Sequence, residues 1–391
     1  MQIRPAKKLD LFPVYLFDQL DQDKAKVEAT GADVIDLSVG DPDRETPAHI
    51  VQALCEAARN PDHQHYPSYR GLPVFRKAIA DWYEQVFRVT LDPDAEVLSL
   101  IGSKGGIGHI PSALVDPGDV VLIPDPCYPA YKPGIVLADA KFESMPLYES
   151  NGYLPDLKAI PASICKRAKL MILNYPQNPT AAVATREFFE EAVAFAEQNE
   201  IIIVHDAAYS QAYFDGERVI SFLEVPGAKD VGIEINSMSK TFNMSGWRVA
   251  YAVGNRRVLA ALGKVKSNVD MGVFEPIQIA AVAALRGSQD CVTQMRSLYQ
   301  GRRDVLVEGL RSLGWKVEKP KATFFVWLPV PEKGKPSGVF ASEVLQKAHV
   351  LITPGKGFGD CGEGYVRIAL TVEEERFREV IQRLKKSNFV Y

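Results

Sequence analysis

The chain has 391 residues, with 45 Lys or Arg against 49 Asp or Glu, so its formal net charge is −4. A hydrophobic fraction of 47% and a charged fraction of 24% are typical of a soluble globular protein and exclude wholesale disorder. The near-balanced charge gives no reason to expect nucleic acid as a partner. No apolar run approaches the roughly 18 residues of a membrane span, so no membrane partner is expected either. At about 150 residues per domain, the length predicts about two or three domains.

The cysteines bear on metal binding and on the cellular compartment. All five are spread along the chain and form no Cys-x-x-Cys pair. This spacing favours neither a zinc site nor a disulfide framework, and it predicts reduced thiols. The N-terminus lacks the unbroken apolar segment of a secretory signal. We therefore expect a cytoplasmic protein without a metal site.

The first two thirds of the chain predict an α/β domain. A lone strand at residues 34–37 comes first, and helical patterns such as 185–199 separate the later β-rich runs. Those runs span residues 96–101, 120–124, 141–145, 170–173, 201–205, 232–235 and 247–253. Alternation of this kind predicts a mostly parallel seven-stranded sheet flanked by helices.

The pattern changes after residue 286. A long helix at 292–313 precedes strands at 323–328 and 365–370, with helices near 338–349 and 373–386. This is typical of a smaller α+β domain, with which the first 45 residues are expected to pack. The predicted division is therefore a large domain at 46–285 and a small domain at 1–45 and 286–391. The crevice between two domains is the usual ligand site.

A lysine with two serines and an arginine follows the strand at 232–235. Lys240 alone would be a solvated strand end, but Ser237 and Ser239 precede it and Arg248 follows it. Small hydroxyl donors and a bidentate cation suit a phosphate dianion. Lys240 is therefore a candidate for a Schiff base with a phosphate-bearing aldehyde.

Other polar groups also follow strands. Asp206 comes directly after the strand at 201–205, with Tyr209 three residues on. Such a carboxylate either caps the next turn or faces a cation, for example a pyridinium nitrogen. Asn178, in Asn-Pro-Thr, either forms a turn or donates its amide to a phenolate oxygen.

Two further groups complete the set at the strand ends. Ser103 and Lys104 lie in a glycine-rich turn before a helix, where backbone N–H groups can bind an anion. Tyr128 follows the strand at 120–124 and either stacks on a flat ligand or packs in the core. Because the carboxyl ends of parallel strands share one edge of a sheet, we expect all these groups to meet there. The G-x-G-x-x-G at 357–362 runs into a predicted strand, so it is interpreted as a loop and not as a dinucleotide site.

The stretch 237–250 (SMSKTFNMSGWRVA) resembles the Schiff-base lysine signature of the fold-type-I, class I/II aminotransferases, which use pyridoxal phosphate. The resemblance extends over essentially the whole chain. It implies that Lys240 carries the cofactor, that Asp206 holds its ring nitrogen, and that Tyr209 and Asn178 bond its phenolic oxygen. The residues implied around the phosphate are Ser103, Lys104, Ser237, Ser239 and Arg248, with Tyr128 stacked on the ring.

The resemblance also implies a homodimer with shared active sites, because Tyr69 matches the tyrosine that these enzymes lend to the neighbouring subunit's phosphate. Stretches at 11–17, 36–43, 102–104 and 264–270 are similar to the LL-diaminopimelate branch of the family. By position, the residues implied at the substrate are Tyr15, Gly40, Lys104, Tyr128, Asn178, Asn268 and Arg367, the last for the α-carboxylate. Gly105 and Ala181 depart from the family pattern, which has an acidic residue and a glycine there.

The implied activity is pyridoxal-phosphate-dependent transamination between an amino acid and 2-oxoglutarate, with LL-diaminopimelate of lysine biosynthesis as the expected donor. Alternatives on the same scaffold are an aminotransferase for aspartate or another α-amino acid, and a C–S lyase or decarboxylase. A cofactor-sensing regulator of transcription would need a basic DNA-binding module, of which the sequence gives no sign. A nicotinamide oxidoreductase would need the dinucleotide fingerprint that the loop at 357–362 does not provide.

Overall fold

The computed structural model describes residues 2–12 and 16–391. The helices are α1 (Leu16–Glu28), α2 (Ala48–Ala58), α3 (Pro73–Phe87), α4 (Gly102–Leu114), α5 (Tyr131–Leu137), α6 (Ala162–Cys165), α7 (Arg186–Asn199), α8 (Ala228–Val231), α9 (Met238–Thr241), α10 (Arg256–Val269), α11 (Glu275–Arg286), α12 (Asp290–Ser312), α13 (Ser337–Ala348) and α14 (Glu374–Lys386). Within the described ranges, no helix combines the length and the apolar character needed to cross a membrane.

Within the described ranges, the strands form three sheets. They are β1 (Ile35–Asp36), β2 (Val97–Leu100), β3 (Val120–Asp125), β4 (Lys141–Pro146), β5 (Ala168–Asn174), β6 (Ile202–Asp206), β7 (Gly232–Ser237), β8 (Ala250–Gly254), β9 (Phe325–Pro329), β10 (Val350–Leu351), β11 (Thr353–Pro354) and β12 (Tyr365–Ala369). The largest sheet has seven strands in the order β2-β8-β7-β6-β5-β3-β4. Strand β8 is antiparallel to both neighbours, and the other pairs are parallel. The predicted mostly parallel seven-stranded sheet is thus confirmed.

Both faces of this sheet are covered by helices. Successive side chains of a strand point to opposite faces, so Val121 and Ile123 pack with α4, α5 and α10, whereas Val120 and Leu122 pack with α2, α3, α7 and α11. Burial on both faces explains why the strands are nearly continuous apolar runs in the sequence. The polar ends of the strands are therefore where a ligand can meet the sheet.

A second unit is built on the antiparallel sheet β11-β12-β9, and its core includes side chains of α12, α13 and α14. Strand β1 pairs in parallel with β10, with Ile35 opposite Val350. This pairing explains how the lone early strand is stabilised. The predicted division at residues 46–285 is compatible with these clusters and stays a prediction.

Individual boundaries show where the sequence was informative. The helix predicted at 185–199 is confirmed as α7, and the Thr185 hydroxyl caps it by accepting a hydrogen bond from Phe188 N at 3.2 Å. The strand predicted at 247–253 is wrong at its start, since Ser245–Trp247 forms a 3-10 turn and Arg248 has φ 56°. A left-handed residue cannot continue a strand. The glycine motif at 357–362 runs through 3-10 turns into β12, which agrees with its interpretation as a loop.

Candidate active site

A cavity of about 590 Å³ opens at the carboxyl ends of the parallel strands. It brings together these predicted residues: Gly40, Ser103, Lys104, Tyr128, Asn178, Asp206, Tyr209, Ser237, Ser239, Lys240, Arg248 and Arg367. A larger cavity of about 670 Å³ lies at the opposite strand edge, where Glu96 pairs with Lys229 and Arg256. Ligands of open α/β sheets bind at the carboxyl edge, so the first cavity is the candidate site.

Lys240 lies on the short helix that follows β7. Its Nζ donates a hydrogen bond to the Gly40 carbonyl at 2.8 Å and lies 3.7 Å from Oδ1 of Asp41. Burial lowers the pKa of the Lys240 amine to about 8, although the Asp41 carboxylate acts in the opposite direction. An amine with such a pKa is partly unprotonated near neutral pH, which makes it a usable nucleophile and base.

An anion cradle forms beside this lysine. Its members are Ser103 and Lys104 in the first turn of α4, Ser237 and Ser239 around the start of α9, and Arg248. Gly102 has φ 71°, and a Cβ there would clash with Nη2 of Arg248. Only glycine therefore lets the guanidinium approach the start of α4, where backbone N–H groups point outward.

Asp206 forms the floor of the cavity and is only 5% exposed. Its carboxylate accepts hydrogen bonds from the Tyr131 hydroxyl at 2.9 Å and from Ala208 N at 3.2 Å. Burial dominates and raises the pKa of this carboxyl group, despite these two hydrogen bonds. A buried carboxylate that is held by neutral donors suits a ligand with a protonated ring nitrogen.

Arg367 lies on β12 and lines the cavity, and hydrogen bonds and aromatic rings hold its guanidinium. Its guanidinium donates to Oδ1 of Asn178 at 2.8 Å and to the Ser38 carbonyl at 2.5 Å. It also lies 4.1 Å from the ring centroid of Phe325 and 4.7 Å from that of Phe358. Burial lowers the pKa of Arg367 to about 10, so the group stays charged at neutral pH. A fixed and buried cation of this kind suits a carboxylate ligand.

Two predicted residues, Tyr69 and Asn268, do not line the cavity in the part of the chain that the structure describes. The ring of Tyr69 packs against α10, where a Cβ on Gly263 would lie 3.2 Å from it. Asn268 does not line the cavity of its own protomer, and its Nδ2 donates back to the Lys264 carbonyl at 2.8 Å on an exposed helix face. Its place at the substrate stays a prediction. Tyr15 lies outside the described residues.

Sequence reasoning missed several residues that support the site. Asn174 lines the cavity, and its amide donates to the Asp206 carbonyl at 2.8 Å while its Oδ1 accepts from Asn178 N at 2.9 Å. Asn174 directly follows the strand predicted at 170–173, and the same position after a strand is the signal that identified Asp206. Tyr131 follows Tyr128 by three residues, and this spacing is the signal that was available for it. Phe325 also lines the cavity, but it lies in an apolar strand and no polar motif in the sequence indicates its role.

The family model "Aminotransferase class I and II" matches residues 32–384. The chain belongs to this aminotransferase family. An LL-diaminopimelate aminotransferase of Moorella thermoacetica is 51% identical over 384 residues, which cover 98% of each chain. The substrate-bound structure of BacF from Bacillus subtilis is 42% identical, with a TM-score of 0.95 over 99% of this chain and 98% of that one. Aspartate aminotransferase of Thermus thermophilus with maleate is 26% identical, with a TM-score of 0.91 over 99% of this chain and 100% of that one.

The aminotransferase uses pyridoxal phosphate and acts on small-molecule substrates, namely amino acids and oxoacids, as its family does. The cavity fits this cofactor on three independent features of the chain. The buried amine of Lys240 suits the aldehyde, and the buried carboxylate of Asp206 suits the ring nitrogen. The cradle around Arg248 suits the phosphate dianion.

The two departures from the family pattern have different physical settings in this aminotransferase. Ala181 has φ 60°, a left-handed conformation that favours glycine. Its backbone N–H nevertheless donates to the Gln177 carbonyl at 2.9 Å, which holds the turn. At Gly105 an added Cβ would meet nothing within 4 Å, so packing does not require glycine there.

Proposed function

We propose that this aminotransferase transfers the amino group of LL-diaminopimelate to 2-oxoglutarate, a reaction of lysine biosynthesis. The observation that carries the proposal is the 51% identity, over nearly the whole of both chains, to a Moorella enzyme of that name. The cavity adds support, because two cationic side chains, those of Arg367 and Lys104, line it. A substrate with two amino-carboxylate ends needs an anion site for each carboxylate.

We assign the cofactor contacts by the chemistry of each group. Lys240 would hold the aldehyde carbon, Asp206 the ring nitrogen, and Asn178 and Tyr209 the phenolic oxygen, with Tyr128 against the ring. The residues proposed for the phosphate are Ser103, Lys104, Ser237, Ser239 and Arg248. When bound, pyridoxal phosphate supplies an electron sink for the charge left on the substrate carbon.

Lys240 is proposed to carry the proton. With pyridoxal phosphate held by these residues, Nζ of Lys240 would act as the base that takes the proton from the substrate Cα and as the acid that later gives a proton back. A pKa of about 8 leaves part of this amine unprotonated near neutral pH, which a base requires. The Gly40 carbonyl, which accepts from Nζ at 2.8 Å, holds the buried amine within the cavity.

Arg367 is proposed to direct the reaction towards transamination. Two parallel N–H donors hold the α-carboxylate of the substrate and stabilise it as a carboxylate. This disfavours its loss as carbon dioxide relative to loss of the α-proton. The bonds to Asn178 and Ser38 and the rings of Phe325 and Phe358 fix the guanidinium before substrate arrives.

A panel of amino donors tests the proposal. The loaded enzyme is mixed with LL-diaminopimelate, aspartate, glutamate or a neutral amino acid, without oxoacid, and the bleaching of its visible absorbance is followed. We expect LL-diaminopimelate to give the largest second-order rate constant and 2-oxoglutarate to restore the absorbance. A larger constant for aspartate would favour the aspartate alternative. Release of pyruvate or thiol without oxoacid would favour the lyase.

We also propose a cytoplasmic homodimer in which Tyr69 of one subunit reaches the phosphate of its neighbour. The five cysteines form no disulfide, which supports a reducing compartment. Tyr66 offers a matched comparison for the interface, because it is 90% exposed whereas Tyr69 is 36% exposed. Tyr69→Phe is expected to weaken cofactor binding several-fold and Tyr66→Phe to leave it unchanged. The reverse result would transfer the role to Tyr66.

A further inference from the structure

A buried tyrosine lies directly behind the cofactor carboxylate. Tyr131 is 1% exposed, and its hydroxyl donates to Oδ2 of Asp206 at 2.9 Å. It is not among the residues that line the cavity. Any effect of Tyr131 on chemistry must therefore pass through the residues that it contacts.

Tyr131 contacts two proposed cofactor residues at once. It is the first residue of α5, and its backbone N–H donates to the Tyr128 carbonyl at 3.2 Å. The rings of Tyr128 and Tyr131 meet edge to face, with their centroids 5.8 Å apart. The ring thus supports the Tyr128 ring, while the hydroxyl contacts Asp206. These two contacts can be separated by mutation, because phenylalanine keeps the first and loses the second.

We propose that Tyr131 is a positioning residue whose hydroxyl keeps Asp206 in its charged form against the ring nitrogen of the bound cofactor. The inference rests on the proposed role of Asp206. It adds to that role by naming the Tyr131 hydroxyl as the group that stabilises the charged form of Asp206.

The reason lies in the balance of forces on a buried carboxylate. Burial raises the pKa of Asp206, and the Tyr131 hydrogen bond is the largest of the effects that lower it. A hydrogen bond to a charged group is about twice as strong as one between neutral groups. Without it, the proton shared between the ring nitrogen and Asp206 moves towards the carboxylate. The ring then carries less positive charge and is a weaker electron sink.

The variant Tyr131→Phe tests this directly. We expect the apoprotein to bind pyridoxal phosphate about tenfold more weakly, the equivalent of about 1.4 kcal/mol. In the loaded enzyme, the pH midpoint of the visible absorbance is expected to rise by about half a unit or more, because less ring charge acts on the Lys240 nitrogen. The kcat is expected to fall, while the KM for the amino donor changes little.

Tyr83→Phe is a matched control. Tyr83 is also fully buried, and its hydroxyl donates to Oε1 of Glu234, a buried carboxylate, at 2.6 Å. Neither residue lines the cavity. Tyr83→Phe is expected to lose stability in urea while keeping the cofactor affinity and the pH midpoint of the wild type.

A background with Asp206→Asn tests whether the effect passes through the carboxylate. In that background, Tyr131→Phe is expected to add little to the change in cofactor affinity or pH midpoint, because residue 206 no longer carries a charge that the hydroxyl could stabilise. The inference is overturned if Tyr131→Phe matches the wild type, if Tyr83→Phe shifts the midpoint equally, or if the effect persists in the Asp206→Asn background. A wild type that takes up no pyridoxal phosphate would instead overturn the proposed function, and the inference with it.

Discussion

Replacement of Arg367 by lysine separates the grip on the α-carboxylate from the rest of the site. The Arg367 guanidinium presents parallel N–H donors to a ligand. It is held in place by hydrogen bonds to Asn178 and Ser38 and by contacts with two phenylalanine rings. An ammonium keeps the charge but donates from one atom, so one of two charge-assisted bonds to the carboxylate is lost. Such a bond contributes about 1.5–3 kcal/mol. We therefore expect kcat/KM for the amino donor to fall about 10- to 150-fold in Arg367→Lys.

The assay compares two substrates with the same loaded enzymes. One is the amino donor, and the other is an amine of the same length that lacks the α-carboxylate. The loss is expected for the first substrate alone, and the visible absorbance of the cofactor should be unchanged. An equal loss for both substrates would show that Arg367 supports the fold and not the carboxylate. An unchanged kcat/KM for the amino donor would also refute the reasoning.

Two further predictions follow from the pKa of Lys240 and from left-handed backbone. The rate at which pyridoxal phosphate attaches to the apoprotein should rise as the pH passes about 8, because burial lowers the pKa of Lys240 to about 8. Stopped-flow absorbance measures this rate. A rise only near 10.5, the usual value, would contradict it. Ala181→Gly should stabilise the loaded protein in urea by about 0.5–1 kcal/mol, because Ala181 has φ 60°. Gly359→Ala should destabilise it by about 1–3 kcal/mol, since Gly359 has φ 146° and a Cβ would clash with Oδ1 of Asp125. Equal stability of both variants and the wild type would refute the strain argument.

The sequence could predict most of the candidate site because its polar side chains share one local signal, which is a position at or just after the end of a strand. Asp206 and Asn174 each end a strand, and the register of β5 and β6 places them opposite each other. Lys240 and Ser103 likewise follow strands of the same sheet. Parallel strands bring their carboxyl ends to one edge whatever their order, so the prediction did not need the topology.

The sequence could not predict features that depend on packing between distant segments. Tyr131 meets Asp206 across 75 residues, and this contact depends on where α5 lies against β6. Arg248 was predicted at the phosphate, but no pattern of apolar residues reveals the left-handed backbone, with φ 56°, that it adopts. Asn268 was carried over by position, and the exposed face of α10 on which it lies is set by how that helix packs.

The central claim is that one amine, Nζ of Lys240, carries the cofactor. Reduction of the pyridoxal-phosphate-loaded protein with borohydride, followed by peptide mass spectrometry, tests it most directly. We predict a stoichiometric adduct on the peptide that contains Lys240, and none in Lys240→Ala. An adduct on another lysine, or wild-type protein without any adduct, would contradict the account.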